Sequence, residues 1–466
     1  MCFTVDILRK IFAPVDMTIG VPWKKIMLFT VPMLLGNIAQ QLYNTVDSVV
    51  VGNYVGDNAL AAVGSAGPIL NLLIVLYVGI SVGAGIMVSQ YFGAKNREGL
   101  SYTIGNSVLL TLVAVITVAV AGAFVTRPLL VLLKTPESII DWCASYLYIL
   151  FIGGAGLAFY NILSGVLRGL GDSVSALIYL VVACVLNIGL DLLFVIQFNM
   201  GVSGVALATA IAQAVSAALC AIKLYRMKDL FDFKIDFMKW NKEYAMNIIR
   251  LGVPSGVTQA ILSMSMIVVQ SLTNSFGEMF IAANVIVMRV DGFAMMPNFS
   301  FGAAMTTYAG QNVGAGNFDR VKTGARQGTL LATGVSTLVT AVILLGGRHL
   351  MGIFTDTDEL VILSMHLMQI LAVGYIAMAV MQCLCGVMRG AGDTMTPMWI
   401  SIVETVALRM PLAYVMCYLS RTPALPNGKR EYVMVSLLIS WIAGTILSCI
   451  FYARGKWKNK VELARN

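Results

Sequence analysis

Six polar side chains recur at three- and four-residue spacing in one apolar stretch, LLGNIAQQLYNTVDSVVVG: Asn37, Gln40, Gln41, Asn44, Asp47 and Ser48. On a helix that spacing gathers them into a single stripe. A second stretch, LIYLVVACVLNIGLDLLFVI, sets Asn187 and Asp191 four apart, and a third sets Thr209 and Gln213 four apart. Two carboxylates with amide and hydroxyl oxygens suit two chemistries. Two acids in one buried pocket cannot both stay ionised cheaply, so together they can load and release a proton. The same oxygens can cage a small hard cation such as Na⁺. The residue types do not choose between the two.

Positioning these residues takes membrane helices. Of 466 residues, 58% are hydrophobic and 12% charged, and the mean hydropathy is +0.84. Apolar stretches of about 20 residues, each long enough to cross a hydrocarbon core as a helix, recur along nearly the whole chain. Only helices satisfy their own backbone in lipid without the short alternating strands of a barrel. The expected fold is an all-α polytopic membrane protein with twelve spans. The first six lie near 26–50, 59–88, 101–126, 141–166, 174–198 and 203–225. The second six lie near 247–274, 281–308, 323–347, 361–388, 396–419 and 432–453. Between them RMKDLFDFKIDFMKWNKEY reads as a linker with a short interfacial helix.

Placing the N-terminus inside puts 23 of the 31 Lys and Arg on the inner side and six outside, namely Arg127, Lys134, Arg348, Arg421, Lys429 and Arg430. That asymmetry predicts both termini in the cytoplasm. The net charge of +8 is then a topological signal spread over membrane loops, not a nucleic-acid footprint. The N-terminal residues carry no cleavable signal pattern, since Asp6 and Asp16 interrupt short apolar runs.

The chain repeats itself. GVLRGLGDS (165–173) returns as GVMRGAGDT (386–394), and QYFGAKN (90–96) as QNVGAGN (311–317), both 221 residues later. The repeats fall in equivalent inner loops. Six spans per unit is an even number, so the two lobes insert in the same orientation and should be related by a pseudo-twofold axis along the membrane normal. The expected domains are 1–225, a linker over 226–246, and 247–466. Two such lobes around a shared cleft are what alternating access requires. Gly and Asp in the repeated phrases make turns, and their Arg residues are expected to anchor to lipid phosphate. No G-x-x-x-x-G-K-[ST] loop occurs, so uphill transport would draw on an ion gradient.

The second half departs from the first. At the repeat offset Asp47 becomes Val268 and Asp191 becomes Leu412. The stripe there is uncharged: Ser255, Gln259, Ser263 and Gln270. Asn284, Asp291 and Asn298 recur at sevens with Arg289 nearby, and Glu404 and Arg409 lie in one span. These opposite charges are expected to neutralise one another. Of 27 Met, 20 lie from Met238 onward, which suits either a pliable cavity or ordinary packing. The two His form no metal constellation. The eight Cys, Cys2, Cys143, Cys184, Cys220, Cys383, Cys385, Cys417 and Cys449, read as small core residues.

The twelve spans in two parallel halves, QLYNTVDSVVVG in the first span, and the pair GVLRGLGDS/GVMRGAGDT together resemble the multidrug and toxic compound extrusion (MATE) family over about 20–455. The resemblance implies two six-helix lobes and efflux of drugs or metabolites in exchange for H⁺ or Na⁺, with no other cofactor. It assigns the coupling ion to Asp47, Asn187, Asp191 and Thr209. Gln40, Asn44, Asn161, Gln213, Gln259, Asn284, Met288 and Asp291 become the candidate lining of the substrate cavity. One branch of the family carries a Glu in the seventh span. Here AILSMS (260–265) has none, which points to coupling through the first lobe. The expected setting is a bacterial cytoplasmic membrane, with a monomer exporting small organic molecules. A lipid-linked oligosaccharide or lipid flippase is the first rival. It would line its cavity with several cations, and only Arg289 and Arg409 lie within spans. A membrane-embedded enzyme is the second, and no nucleophile–base set is present.

Overall fold

The computed structural model describes residues 14–132, 135–232, 234–423 and 425–458. Cys2, Asp6, Lys134 and the terminal basic residues Arg9, Lys10, Lys460 and Arg465 lie outside them. In chain order the helices are α1 (Pro22–Val50), α2 (Asp57–Gly93), α3 (Arg97–Leu132), α4 (Glu137–Ile152), α5 (Ala155–Gly169), α6 (Ser173–Leu192) and α7 (Gly201–Arg226). There follow α8 (Lys242–Asn274), α9 (Glu278–Gly314), α10 (Phe318–Gly352), α11 (Asp358–Ala372), α12 (Gly374–Gly390), α13 (Met395–Ile402), α14 (Met410–Leu419) and α15 (Tyr432–Arg454). Among the described residues ten helices are long and apolar enough to span a membrane, or twelve if each bent pair counts as one span. Outward side chains such as Leu345 (88% exposed) and Phe124 (76%) are large and apolar, which fits a lipid-facing surface.

Two of the expected spans are broken. α4 and α5 meet at 49°, and α11 and α12 at 42°. The first break falls at Gly153–Gly154, where two residues of low helix propensity sit together. Three spans also contain π-helical turns that no periodicity foretold: Val51–Val55 after α1, Leu193–Gln197 after α6, and Val403–Arg409 between α13 and α14.

The chain divides into two compact units. One holds Val31–Gly256 with the segment ending at Asp16; the other holds Met17–Thr30 with Val257 onward. The division therefore falls inside α1 and α8, close to Pro32 and Pro254, and not in the linker. The linker itself is fastened to the first unit. Arg97 donates to the carbonyls of Lys228 (2.7 Å) and Asp229 (2.8 Å) and pairs with the Asp232 carboxylate at 2.8 Å. That pairing holds the exposed Asp232 carboxyl below the usual carboxylate range. The expected interfacial helix is a single 3₁₀ turn, Ile235–Met238, and Phe237 stacks edge-on against Tyr102 at 4.8 Å.

The repeated phrase is a packing and turning device. In GVLRG and GVMRG the glycines are four apart, on one helix face, which lets helices approach closely. A Cβ on Gly169 would lie 2.7 Å from the Gly85 carbonyl oxygen, and one on Gly390 would collide with the Thr306 carbonyl. α5 thus packs on α2, and α12 on α9. The next glycine, Gly171 or Gly392, has φ +92° in both copies, a backbone region that glycine enters without strain. The Asp then caps the following helix. Asp172 accepts from the Ser175 N–H at 2.9 Å and its hydroxyl at 2.7 Å, and Asp393 accepts from the Thr396 hydroxyl at 2.6 Å.

Of the seven Cys described, six are buried. Cys449 departs from the expected core role: it is exposed on α15, because that helix turns one apolar face outward.

Candidate functional site

α1, α6 and α7 bring four polar side chains of the first unit to one point. Asn187 and Asp191 are each fully buried, and Asp47 and Thr209 are half-buried. The Asn187 amide is assigned from its surroundings, with nitrogen toward the acids. It then donates to Asp47 Oδ1 at 2.8 Å and Asp191 Oδ2 at 3.2 Å, and its oxygen accepts from the Thr209 backbone N–H at 3.2 Å. One amide nitrogen thus holds both carboxyls beside each other. A shared proton or a cation offsets the repulsion between two carboxyl groups placed so. Asp191 Oδ1 is buried without a partner, as is Gln213 Oε1 on α7.

Two further residues belong to this cluster. The Tyr43 hydroxyl donates to Thr209 Oγ1 at 3.2 Å. Tyr146 of α4, 8% exposed, packs in the same buried cluster as Val46 and Val50, which flank Asp47 on α1. Tyr43 precedes Asp47 by one helical turn, so its place on the same face was readable. Tyr146 carries no comparable signal, since only the packing of α4 on α2, α3 and α7 places it there.

The remaining candidates of the first half do not join them. Gln40 and Asn44 are exposed, although they lie on the same side of α1 as Asp47, toward its N-terminal end. Asn161 donates to the Leu157 carbonyl of its own helix at 2.8 Å, a local bond that removes it from the cluster.

The second unit contains a cavity of about 420 Å³, within the range of pockets for drug-sized molecules. Gln259, Asn284, Met288 and Asp291 all line it. So do six Met in total (Met266, Met288, Met295, Met378, Met381 and Met434), together with Trp441. Part of the Met-rich half thus forms a pliable wall. The charged groups pair only partly as expected. Arg409 donates to Glu404 at 2.8 Å and to Ser440 at 3.3 Å, and both ions are more than nine-tenths buried. Asp291 instead accepts from the Tyr375 hydroxyl at 2.9 Å, while Arg289 is exposed. Asn298 is a packing residue, bonded to Ser336 (2.6 Å) and the Tyr375 carbonyl (3.1 Å).

Local backbone explains the Glu404–Arg409 contact. Residues five apart on an α-helix point about 140° away from each other. The π-helical turn Val403–Arg409 bonds i to i+5 and brings them onto one face. Arg389, of the repeated phrase, also lines the cavity. This corrects its expected place at the lipid phosphates: the packing of α12 on α9 and α15 turns its side chain toward the interior of the unit.

The MatE family profile matches the chain twice, over residues 32–193 and 254–415. The chain belongs to the MATE family. The paired matches are the internal repeat in another form, one to each half. A probable multidrug resistance protein of Bacillus subtilis, YoeA, is 30% identical over 94% of this MATE chain and 95% of its own length. A probable multidrug resistance protein of Thermotoga maritima, NorM, is 26% identical over 95% and 94%. Among solved structures, an outward-facing MATE transporter superposes with a TM-score of 0.88 at 24% identity, covering 96% of this chain and 98% of that one. A MOP superfamily transporter from Pyrococcus furiosus gives 0.87 with the same identity and coverage. These structures establish the all-helical, multi-pass fold, and membership of the MATE family makes the chain a membrane transporter. Among the described residues of this MATE chain, no three His, Cys, Asp or Glu are grouped to hold a metal.

Proposed function

We propose that this chain is a secondary active exporter of small organic molecules, coupled to inward movement of H⁺ or Na⁺ through Asp47, Asn187, Asp191 and Thr209. The observation that carries the reading is the single amide of Asn187 bridging the buried Asp191 carboxyl and the half-buried Asp47 carboxyl beside an acceptor oxygen with no partner. A proton or a small cation completes that arrangement. The names of the B. subtilis and T. maritima relatives support drugs as cargo.

The cycle follows from electrostatics. Loading the pocket removes the repulsion between the two acids and lets α1 and α6 draw together; release toward the inside restores it. Cargo is held in one state and discharged in the other, so the ion's downhill step drives the cargo's uphill one. One charge crossing about 150 mV releases roughly 3.5 kcal/mol, enough for a gradient of a few hundred-fold in a neutral substrate. The protein acts as a monomer in a bacterial cytoplasmic membrane with both termini inside, and needs no cofactor beyond the coupling ion.

The test is transport by purified protein in vesicles under an imposed pH gradient or an imposed Na⁺ gradient, with a panel of cationic dyes. Dye movement should follow one of the two gradients and collapse with an ionophore for that ion. Equal movement with no gradient would mark a passive pore and end the reading.

A further inference from the structure

The charges of the second unit's cavity do not all cancel locally. Glu404 and Arg409 satisfy each other. Asp291 has a hydroxyl donor but no ion-pair partner within 4 Å among the described residues. Arg389 likewise has no carboxylate partner among the described residues, although it lines the same cavity. Ser265, fully buried and also on the cavity wall, has a hydroxyl with no partner. One negative and one positive group therefore face a largely apolar space without a salt bridge of their own; Arg409, already bonded to Glu404, reaches Asp291 only from beyond 4 Å, and a water-poor site favours closer compensation.

We propose that this cavity binds an amphoteric organic molecule, its cationic group toward Asp291 and its anionic group toward Arg389, with its apolar body against Met295, Met381 and Trp441. A purely cationic ligand of the same size leaves Arg389 uncompensated and adds repulsion. A planar guanidinium is well suited to a carboxylate, which it can hold through two parallel bonds. The proposal deepens the exporter reading by giving the cargo's charge class. It rests on that reading only in calling the ligand cargo.

Binding can be measured without transport. Fluorescence anisotropy on the full-length protein in detergent would compare a xanthene dye bearing a free carboxylate with its ethyl ester, which is a cation of nearly the same shape. The carboxylate form should bind about ten-fold tighter, about 1.4 kcal/mol. Arg389→Gln should erase that preference, Arg389→Lys should keep most of it, and Asp291→Asn should weaken both forms. Cys385 lines the cavity; left as the sole cysteine, it should be shielded from a maleimide by the carboxylate dye and not by the ester. Equal affinity for the two dyes, a preference that survives Arg389→Gln, or an unshielded Cys385 would each overturn the proposal. Intact gradient-driven transport with no charge preference sinks this inference alone. A clear preference with no coupled transport sinks the exporter reading alone.

Discussion

Vesicles carrying Asp47→Asn protein should lose gradient-driven dye efflux, to a rate at least about 100-fold below the parent, while the protein stays folded. The substitution is nearly isosteric and keeps a hydrogen-bonding group beside Asn187, so packing around α1 changes little. It removes the one thing the proposed cycle needs, a group whose charge changes as the ion comes and goes. Asp191→Asn should do the same from the facing helix, since in the proposed cycle the two acids take up one ion between them. Because both variants act on a single step, the double variant should be no worse than either alone. Gel filtration and unfolding temperature would confirm that the variants are intact. Efflux at the parental rate by Asp47→Asn would show that the carboxyl pair is a packing feature and that coupling lies elsewhere.

The largest stability effect is expected at the buried pair of the second unit. Arg409→Gln leaves Glu404, 1% exposed, with its charge uncompensated, a loss of about 3–5 kcal/mol for a buried ion stripped of its partner. Glu404→Gln should cost a similar amount by stranding Arg409. Replacing both with Met removes the desolvation cost on each side, and that variant should be close to the parent in stability or above it. Thermal unfolding of detergent-purified protein separates the cases. If the single variants unfold at the parental temperature, water reaches the pair and the cavity is wetter than its walls suggest.

How much of this was legible beforehand depended on how local the cause was. Hydropathy placed the spans, because about 20 apolar residues have few other uses. The repeat placed the halves, because GVLRGLGDS and GVMRGAGDT encode the same turn through Gly171 and Gly392. Asp47 and Asp191 stood out because acids inside membrane helices are expensive. The geometry brought them together through Asn187, whose four-residue spacing from Asp191 was already visible. Other features depended on distant contacts. Gly153–Gly154 marked the first break, whereas the 42° bend beside Val373 is marked only by the single Gly374, which a continuous helix can tolerate. Arg389 looked like a lipid anchor because its phrase lies near a loop; which way its side chain turns is settled by how α12 packs against α9. Gln40 and Asn44 share a stripe with Asp47 in sequence, yet a stripe roughly 100° wide can point to two surroundings at once.

The wide turn at Val403–Arg409 has a further consequence. Deleting a residue from an ordinary helix swings everything after it by about 100° and misplaces a whole face. A π turn carries one surplus residue that its neighbours have already absorbed. This stretch can therefore shed one amino acid, relax to regular winding, and leave α14 in its original phase, with the acid and the guanidinium then four positions apart and still adjacent. The span is in effect an insertion that was accommodated without a shift in frame, and its buried Thr405 hydroxyl, which has no partner, is the trace that the accommodation left behind.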